Sequence, residues 1–169
     1  MQLEYSEKMD AFYRGQHIEP FQPHIIDSGV AQGVIPFGSA VELVSISENY
    51  LAEQVKIASD GFHGVAVLVD HTEQDAYAVV TPGQNPGDQD VITEAEAGFK
   101  DKAPVAIMKT GRVVVDLASD AVYGDVVYPL ADGAGFSKTD TDTLGGSIKC
   151  IVHRVADANG LGIIEMFRV

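Results

Sequence analysis

The sequence predicts an all-β fold: a single compact β-barrel or sandwich-like domain preceded by an extended N-terminal arm. Three observations predict it. Short apolar or alternating runs recur along the chain, separated by turn residues at roughly 8–12-residue intervals, the spacing of barrels and sandwiches. Residues 147–155 and 161–169 flank Ala156-Asp157-Ala158-Asn159-Gly160, a hairpin with an Asn-Gly turn. No 20–50-residue repeat points to a solenoid or propeller.

The elements follow in order. Residues 1–14 lack a clean period of two, run into Gly15, then meet Pro20 and Pro23. Residues 3–13 are compatible with a short helix or an extended arm. Scattered aromatics (Tyr5, Phe12, Tyr13, Phe21) suit a segment that orders against a neighbouring subunit, while the plainer reading is a frayed terminus. The arm is assigned to residues 1–22 and the body to 23–169. In the body, Val41, Leu43 and Ser45 alternate with Glu42, Val44 and Ile46, a strand with one wetter face. Residues 53–59 alternate again. Gly61-Phe62-His63-Gly64 reads as a turn, and Val65–Val69 as a buried strand. Residues 76–81 read as another strand, 82–90 as a loop rich in Pro and Gly, and 93–98 as a single helical turn capped by Thr93. Residues 105–108 and 112–117 flank Lys109-Thr110-Gly111, which predicts a second hairpin. Tyr123–Tyr128 and the loop Ala131-Asp132-Gly133-Ala134-Gly135 complete the chain before the closing hairpin.

With 169 residues, the chain has the length of one domain. Its 11 bases and 25 acids leave a formal charge of −14. Residues 1–56, 57–112 and 113–169 carry 8, 9 and 8 acids against 3, 4 and 4 bases, so the excess is a coat and not a tail. Such a surface keeps a protein soluble or steers it toward a basic partner. It argues against nucleic acid, whose phosphates need clustered Lys and Arg, and against an anionic membrane. No signal peptide or membrane-spanning stretch is expected.

Candidate chemistry is sparse. Cys150 is alone in an alternating apolar run, so it reads as a small core hydrophobe and not as a nucleophile. Gly133-Ala134-Gly135-Phe136-Ser137-Lys138 lacks the third glycine and the βαβ setting of a dinucleotide motif. The five histidines (His17, His24, His63, His71, His153) show no zinc spacing. His71 among Asp70, Glu73 and Asp75 reads as a solvated turn, and Asp140-Thr141-Asp142 fails the calcium-loop pattern at Leu144 and Ile151. No nucleophile motif is present. The expectation is no catalytic residue, no metal and no cofactor.

One set of segments is more specific. Tyr13-Arg14-Gly15-Gln16 is followed by Asp27-Ser28-Gly29 and then by Gly33-Val34-Ile35-Pro36-Phe37-Gly38-Ser39-Ala40-Val41. Further along come Gly61-Phe62-His63-Gly64-Val65-Ala66, Ala121–Tyr128 with its Gly124-Asp125 step, and Leu144-Gly145-Gly146-Ser147-Ile148. Over residues 13–169 this pattern resembles the structural cement (decoration) proteins of tailed-phage capsids. The resemblance implies a non-enzymatic protein on the outer capsid surface, made in the host cytoplasm. It implies a homo-oligomer, a trimer being favoured, that bridges major capsid protein subunits and stabilises the lattice. Phe12, Tyr13, Arg14 and Phe21 are then candidate arm anchors. Ile35, Pro36, Phe37 and Gly38 match the most distinctive segment and are candidate contact residues. The alternative for them is structural: Pro36 and Gly38 set a bend while Ile35 and Phe37 enter the core. The expected bases at subunit contacts include Arg14. A second function class, a small β-sandwich receptor or carbohydrate-binding module of a head or tail fibre, would need an aromatic platform built from Tyr and Phe, because Trp is absent. A third, a hydrolase with a spatially assembled acid pair or triad, would need a pocket of convergent titratable groups.

Overall fold

The computed structural model describes residues 14–18, 24–46, 53–67, 98–139 and 147–169. Within these the chain forms strands and turns only. In chain order the strands are β1 (His17–Ile18), β2 (Ile25–Ala31), β3 (Ile35–Pro36), β4 (Ala40–Ile46), β5 (Glu53–Ile57), β6 (Gly64–Ala66), β7 (Gly98–Phe99), β8 (Pro104–Asp116), β9 (Val126–Pro129), β10 (Phe136–Ser137), β11 (Ile148–Arg154) and β12 (Leu161–Arg168). The fold class is all-β, as the sequence predicts. The expected strand at 76–81, the loop at 82–90, most of the helical turn at 93–98 and the arm up to Tyr13 lie outside the described residues.

Five strands close a barrel in the order β8-β2-β5-β4-β6 and back to β8. All neighbours are antiparallel except β2 and β5, which run parallel with Gly29 opposite Glu53. A barrel this narrow is filled by its own side chains. Ala31, Ile35, Phe37, Val41, Val55, Ala66, Phe99, Val105 and Ile107 fill it. Gly64 gives Ile107 its room, since a Cβ there would stand 2.6 Å from the Ile107 side chain. Phe37 and Phe99 meet edge-on at 5.1 Å, which ties the small β3–β7 pair to the barrel.

The strand β8 belongs to two sheets, and here the structure corrects the sequence reading. Residues 104–116 form one 13-residue strand in place of a hairpin about Lys109-Thr110-Gly111. A hairpin needs its two flanks to pair with each other. Here the first half pairs with β2 and β6, and the second half with β12 and β1. Gly111 marks the passage between the halves with a φ of 131°, a conformation that side-chain-bearing residues rarely adopt. A register shift on the neighbouring β2 at Ile25/Ile26 sets Thr110 and Met108 as partners and leaves Lys109 as the extra residue. The bulge breaks the alternation, so Ile107, Met108 and Lys109 are all buried.

From β8 the sheet continues through β12, β11, β9 and β10. The β11–β12 pair is the hairpin expected from the Asn-Gly turn. The Asp157 carboxylate shapes its loop by accepting the N–H groups of Asn159 and Leu161 at 2.8 and 3.0 Å. This sheet packs on the barrel through a second core that includes Phe62, Met108, Val115, Phe136, Val152 and Ile164. The expected alternation of β4 is replaced by a step. Ala40, Val41 and Glu42 are buried in succession, while the four residues beyond them are exposed around a bulge at Leu43/Ser45. The glycine-rich loop at 131–135 is also more than surface. Gly133 packs against Ile57, and its carbonyl accepts the Ala40 N–H at 2.9 Å.

Candidate interaction site

The sequence-derived site residues that the structure describes converge on one corner. Arg14, Ile35, Pro36, Phe37 and Gly38 meet there; Phe12, Tyr13 and Phe21 lie outside the described residues. The corner is built by close backbone approach. Gly15 donates to the Val114 carbonyl at 2.9 Å, and Val114 donates back to Gln16 at 3.0 Å, so the segment adds to the outer edge of β8. Gly15 has a φ of 72° and sits so close that a Cβ would stand 2.8 Å from the Phe37 Cβ and 2.9 Å from the Gly38 nitrogen. Gly38 has a φ of 77° and donates to Ala66 at 2.8 Å. Two glycines therefore face each other because any side chain would push the N-terminal segment off the barrel. Ile35 and Phe37 point into the barrel core, Pro36 is half-buried, and Gly38 makes the turn.

Arg14 closes the corner from outside. Its guanidinium makes a two-point pair with Asp116 at the end of β8, with Nη2 2.8 Å from Oδ1 and Nε on Oδ2. Planar fork-to-carboxylate pairing fixes geometry as well as charge. Arg14 thus pairs within its own chain. Asp116 and Gly15 are the members of this corner that sequence reasoning missed. The paired glycines at 15 and 38 were the available signal.

A second polar cluster lies across the barrel. The bulged Lys109 is only 3% exposed. Its Nζ stands 2.6 Å from Asp27 Oδ2 on β2 and 3.0 Å from Glu53 Oε1 on β5. His63 Nε2 approaches Glu53 Oε2 at 2.7 Å. Burial pushes the Glu53 carboxyl up, but the hydrogen bonds from His63 and Lys109 outweigh it and hold the group below its ordinary range. Nearby, Glu42 clamps the loop before β6. Its Oε2 accepts the N–H groups of Ser59, Asp60 and Gly61 at 2.8, 2.7 and 3.1 Å, while Lys56 Nζ lies 2.8 Å from Oε1. Burial again opposes ionisation, but the Lys56 bond and the backbone donors bring the carboxyl down to about 2. The Lys109 cluster joins strands remote in sequence, whereas Glu42 ties β4 to the next strand, β5, and to the loop after it.

Cys150 is buried, and that burial pushes its thiol up, away from the reactive thiolate. Among the described residues no group of three or more His, Cys, Asp and Glu is placed to hold a metal ion.

Residues 1–166 match the family described as structural cement protein (E217 gp24/Pam3 gp6). The chain belongs to this family. A cement-family chain of this kind is a capsid structural protein, associated with capsid proteins in the virion. Its fold is similar to that of a solved chain from the capsid of Myoviridae phage XM1, with a TM-score of 0.54 and 14% identity over 98% of this chain and 97% of that one. At that identity the likeness is one of fold. No curated protein matches at a significant level.

Proposed function

We propose that this cement-family protein is a non-enzymatic clamp that bridges neighbouring major capsid protein subunits on the outer face of the lattice as a homo-oligomer, a trimer being favoured. The match of residues 1–166 to the cement family carries this reading. The structure supports it physically. The N-terminal segment is fastened at residues 14–18 by β-pairing, by facing glycines and by the Arg14–Asp116 pair. Residues 1–22 then act as the arm and 23–169 as the body, with Phe12, Tyr13 and Phe21 as its anchors. Pro36 and Gly38 shape the corner that the arm leaves, supported from within by Ile35 and Phe37. The charge of −14 suits an outward surface in a crowded shell, and synthesis in the host cytoplasm goes with the lone, buried thiol.

The test is direct. Light scattering gives the molar mass in solution, and purified expanded capsids lacking the protein give its binding. A stable oligomer with saturable capsid binding is expected. A monomer that ignores such capsids overturns the proposal.

A further inference from the structure

The turn between β8 and β9 presents two apolar side chains to solvent on an unusually well-tied backbone. Val122 is 56% exposed and Tyr123 is 72% exposed. Beneath them Ala121 is buried in the core. The N–H of Val122 donates to the Asp125 carboxylate at 2.9 Å, and the N–H of Asp125 returns to the Val122 carbonyl at 3.0 Å. Gly124 donates to Val152 and Val152 to the Asp125 carbonyl, each at 2.9 Å, which staples the turn to β11. The His153 ring lies 6.2 Å from the Tyr123 ring. Loops that are merely solvated leave their backbone groups to water, whereas this one is held by its own chain. A rigid, exposed Tyr is the kind of residue that dominates interface energetics, because little entropy remains to be lost on binding.

The rim of this knuckle says what it fits. The Asp120 side chain is 70% exposed and that of Asp125 is 30% exposed. Lys138 approaches them only at 3.9 and 3.6 Å, and long exposed pairs of this kind are worth little. The complementary surface is an apolar pocket with Lys or Arg at its edge. A second copy is a poor source of it. Each copy carries a formal charge of −14, so two copies repel, and the better-buried bases Lys109 and Arg112 already face carboxylates of their own chain.

We propose that Val122 and Tyr123 form a preorganised knuckle that docks into a basic-rimmed apolar pocket on a capsid protein of another sequence. This rests on the capsid role proposed above and adds to it a contact that is separate from the arm. The experiment compares the full-length wild type with Tyr123→Ala, Tyr123→Phe and Asp120→Lys on capsids assembled from the major capsid protein alone, over a range of salt, with molar mass measured in parallel. Tyr123→Ala is expected to weaken capsid binding by about tenfold, Tyr123→Phe to retain it, and Asp120→Lys to slow association, all with unchanged molar mass. Wild-type binding is expected to weaken as salt rises. Undiminished binding by Tyr123→Ala overturns the knuckle while leaving the capsid role intact. A loss of molar mass in Tyr123→Ala in place of capsid affinity makes the knuckle a contact between copies and also overturns it. A wild type that does not bind at low salt overturns the capsid role itself, and the knuckle with it. Because the Tyr123 ring is mostly in solvent, thermal unfolding of the Ala variant reads close to wild type and separates lost binding from lost folding.

Discussion

Arg14 and Asp116, 102 residues apart in the chain, are joined by a two-point ion pair that fastens the N-terminal segment to the end of β8. Their side chains are 26% and 34% exposed, so the pair is neither a loose surface contact nor a dry one. Arg14→Ala is expected to cost about 1 kcal/mol in denaturant unfolding. Its sharper signature is local: amide exchange at Gly15 and Val114 should accelerate relative to the rest of β8. Unchanged protection at those two amides would show that the pair does not hold the segment.

Gly15→Ala tests the glycine contact. The added methyl meets the Phe37 Cβ at 2.8 Å and must also adopt a φ of 72°. Gly124 shares the positive φ, at 88°, but faces open space. Gly124→Ala should therefore cost about 1 kcal/mol, the conformational part alone. Gly15→Ala should cost about 1–3 kcal/mol more through overpacking. Equal losses for the two variants would remove the steric argument.

Lys109→Met leaves the Asp27 and Glu53 carboxylates facing each other without their cation. A loss of about 2 kcal/mol is expected, the worth of hydrogen bonds to charged groups, since Asp27 is 43% exposed and Glu53 keeps His63. Neutralising all three, with Asp27→Asn and Glu53→Gln added, should recover much of it. A triple variant as unstable as the single one would place the defect in packing and not in charge.

Acid sensitivity follows from two carboxyls. Glu42 is held at about 2 against an ordinary 4.5, and Glu53 is lowered as well. A depressed carboxyl contributes stability in full above its unfolded value and loses it as the pH falls through its folded one. For Glu42 that window runs from about 4.5 down to about 2, for a contribution on the order of 3 kcal/mol. Stability should fall through that window, and Glu42→Gln should flatten the fall. An equally steep fall in Glu42→Gln would mean that other groups set the acid limb.

Cys150 should resist thiol reagents in the folded protein and react on unfolding, because burial keeps the thiol protonated and out of reach. Rapid labelling under native conditions would contradict its place in the core.

Local signals were legible where they act locally. The Asn-Gly hairpin of β11 and β12 appears where the turn chemistry puts it. The buried run at Val65 is a barrel strand. The Lys109-Thr110-Gly111 signal misled, because the same residues that make a tight turn also make a bulge and a bend. Which one forms depends on partners that lie far away in the chain. The Asp27–Lys109–Glu53–His63 cluster left no trace in the sequence, since its members come from β2, β8, β5 and the loop before β6. The arm's corner was half visible: Arg14 and Ile35–Gly38 stood out as motifs, but nothing linked them to Asp116.

By itself, the sequence determined the strand-rich class, the spread of negative charge and the resemblance to capsid cement proteins. Each of these is written in period, composition or contiguous motif, which need no knowledge of partners. Only the tertiary structure decided that β8 serves both barrel and sheet, that Gly15 and Gly38 face each other, and that Arg14 spends its charge on Asp116. Those outcomes depend on which strands close the barrel, a choice governed by burying two cores at once through contacts between residues distant in the chain.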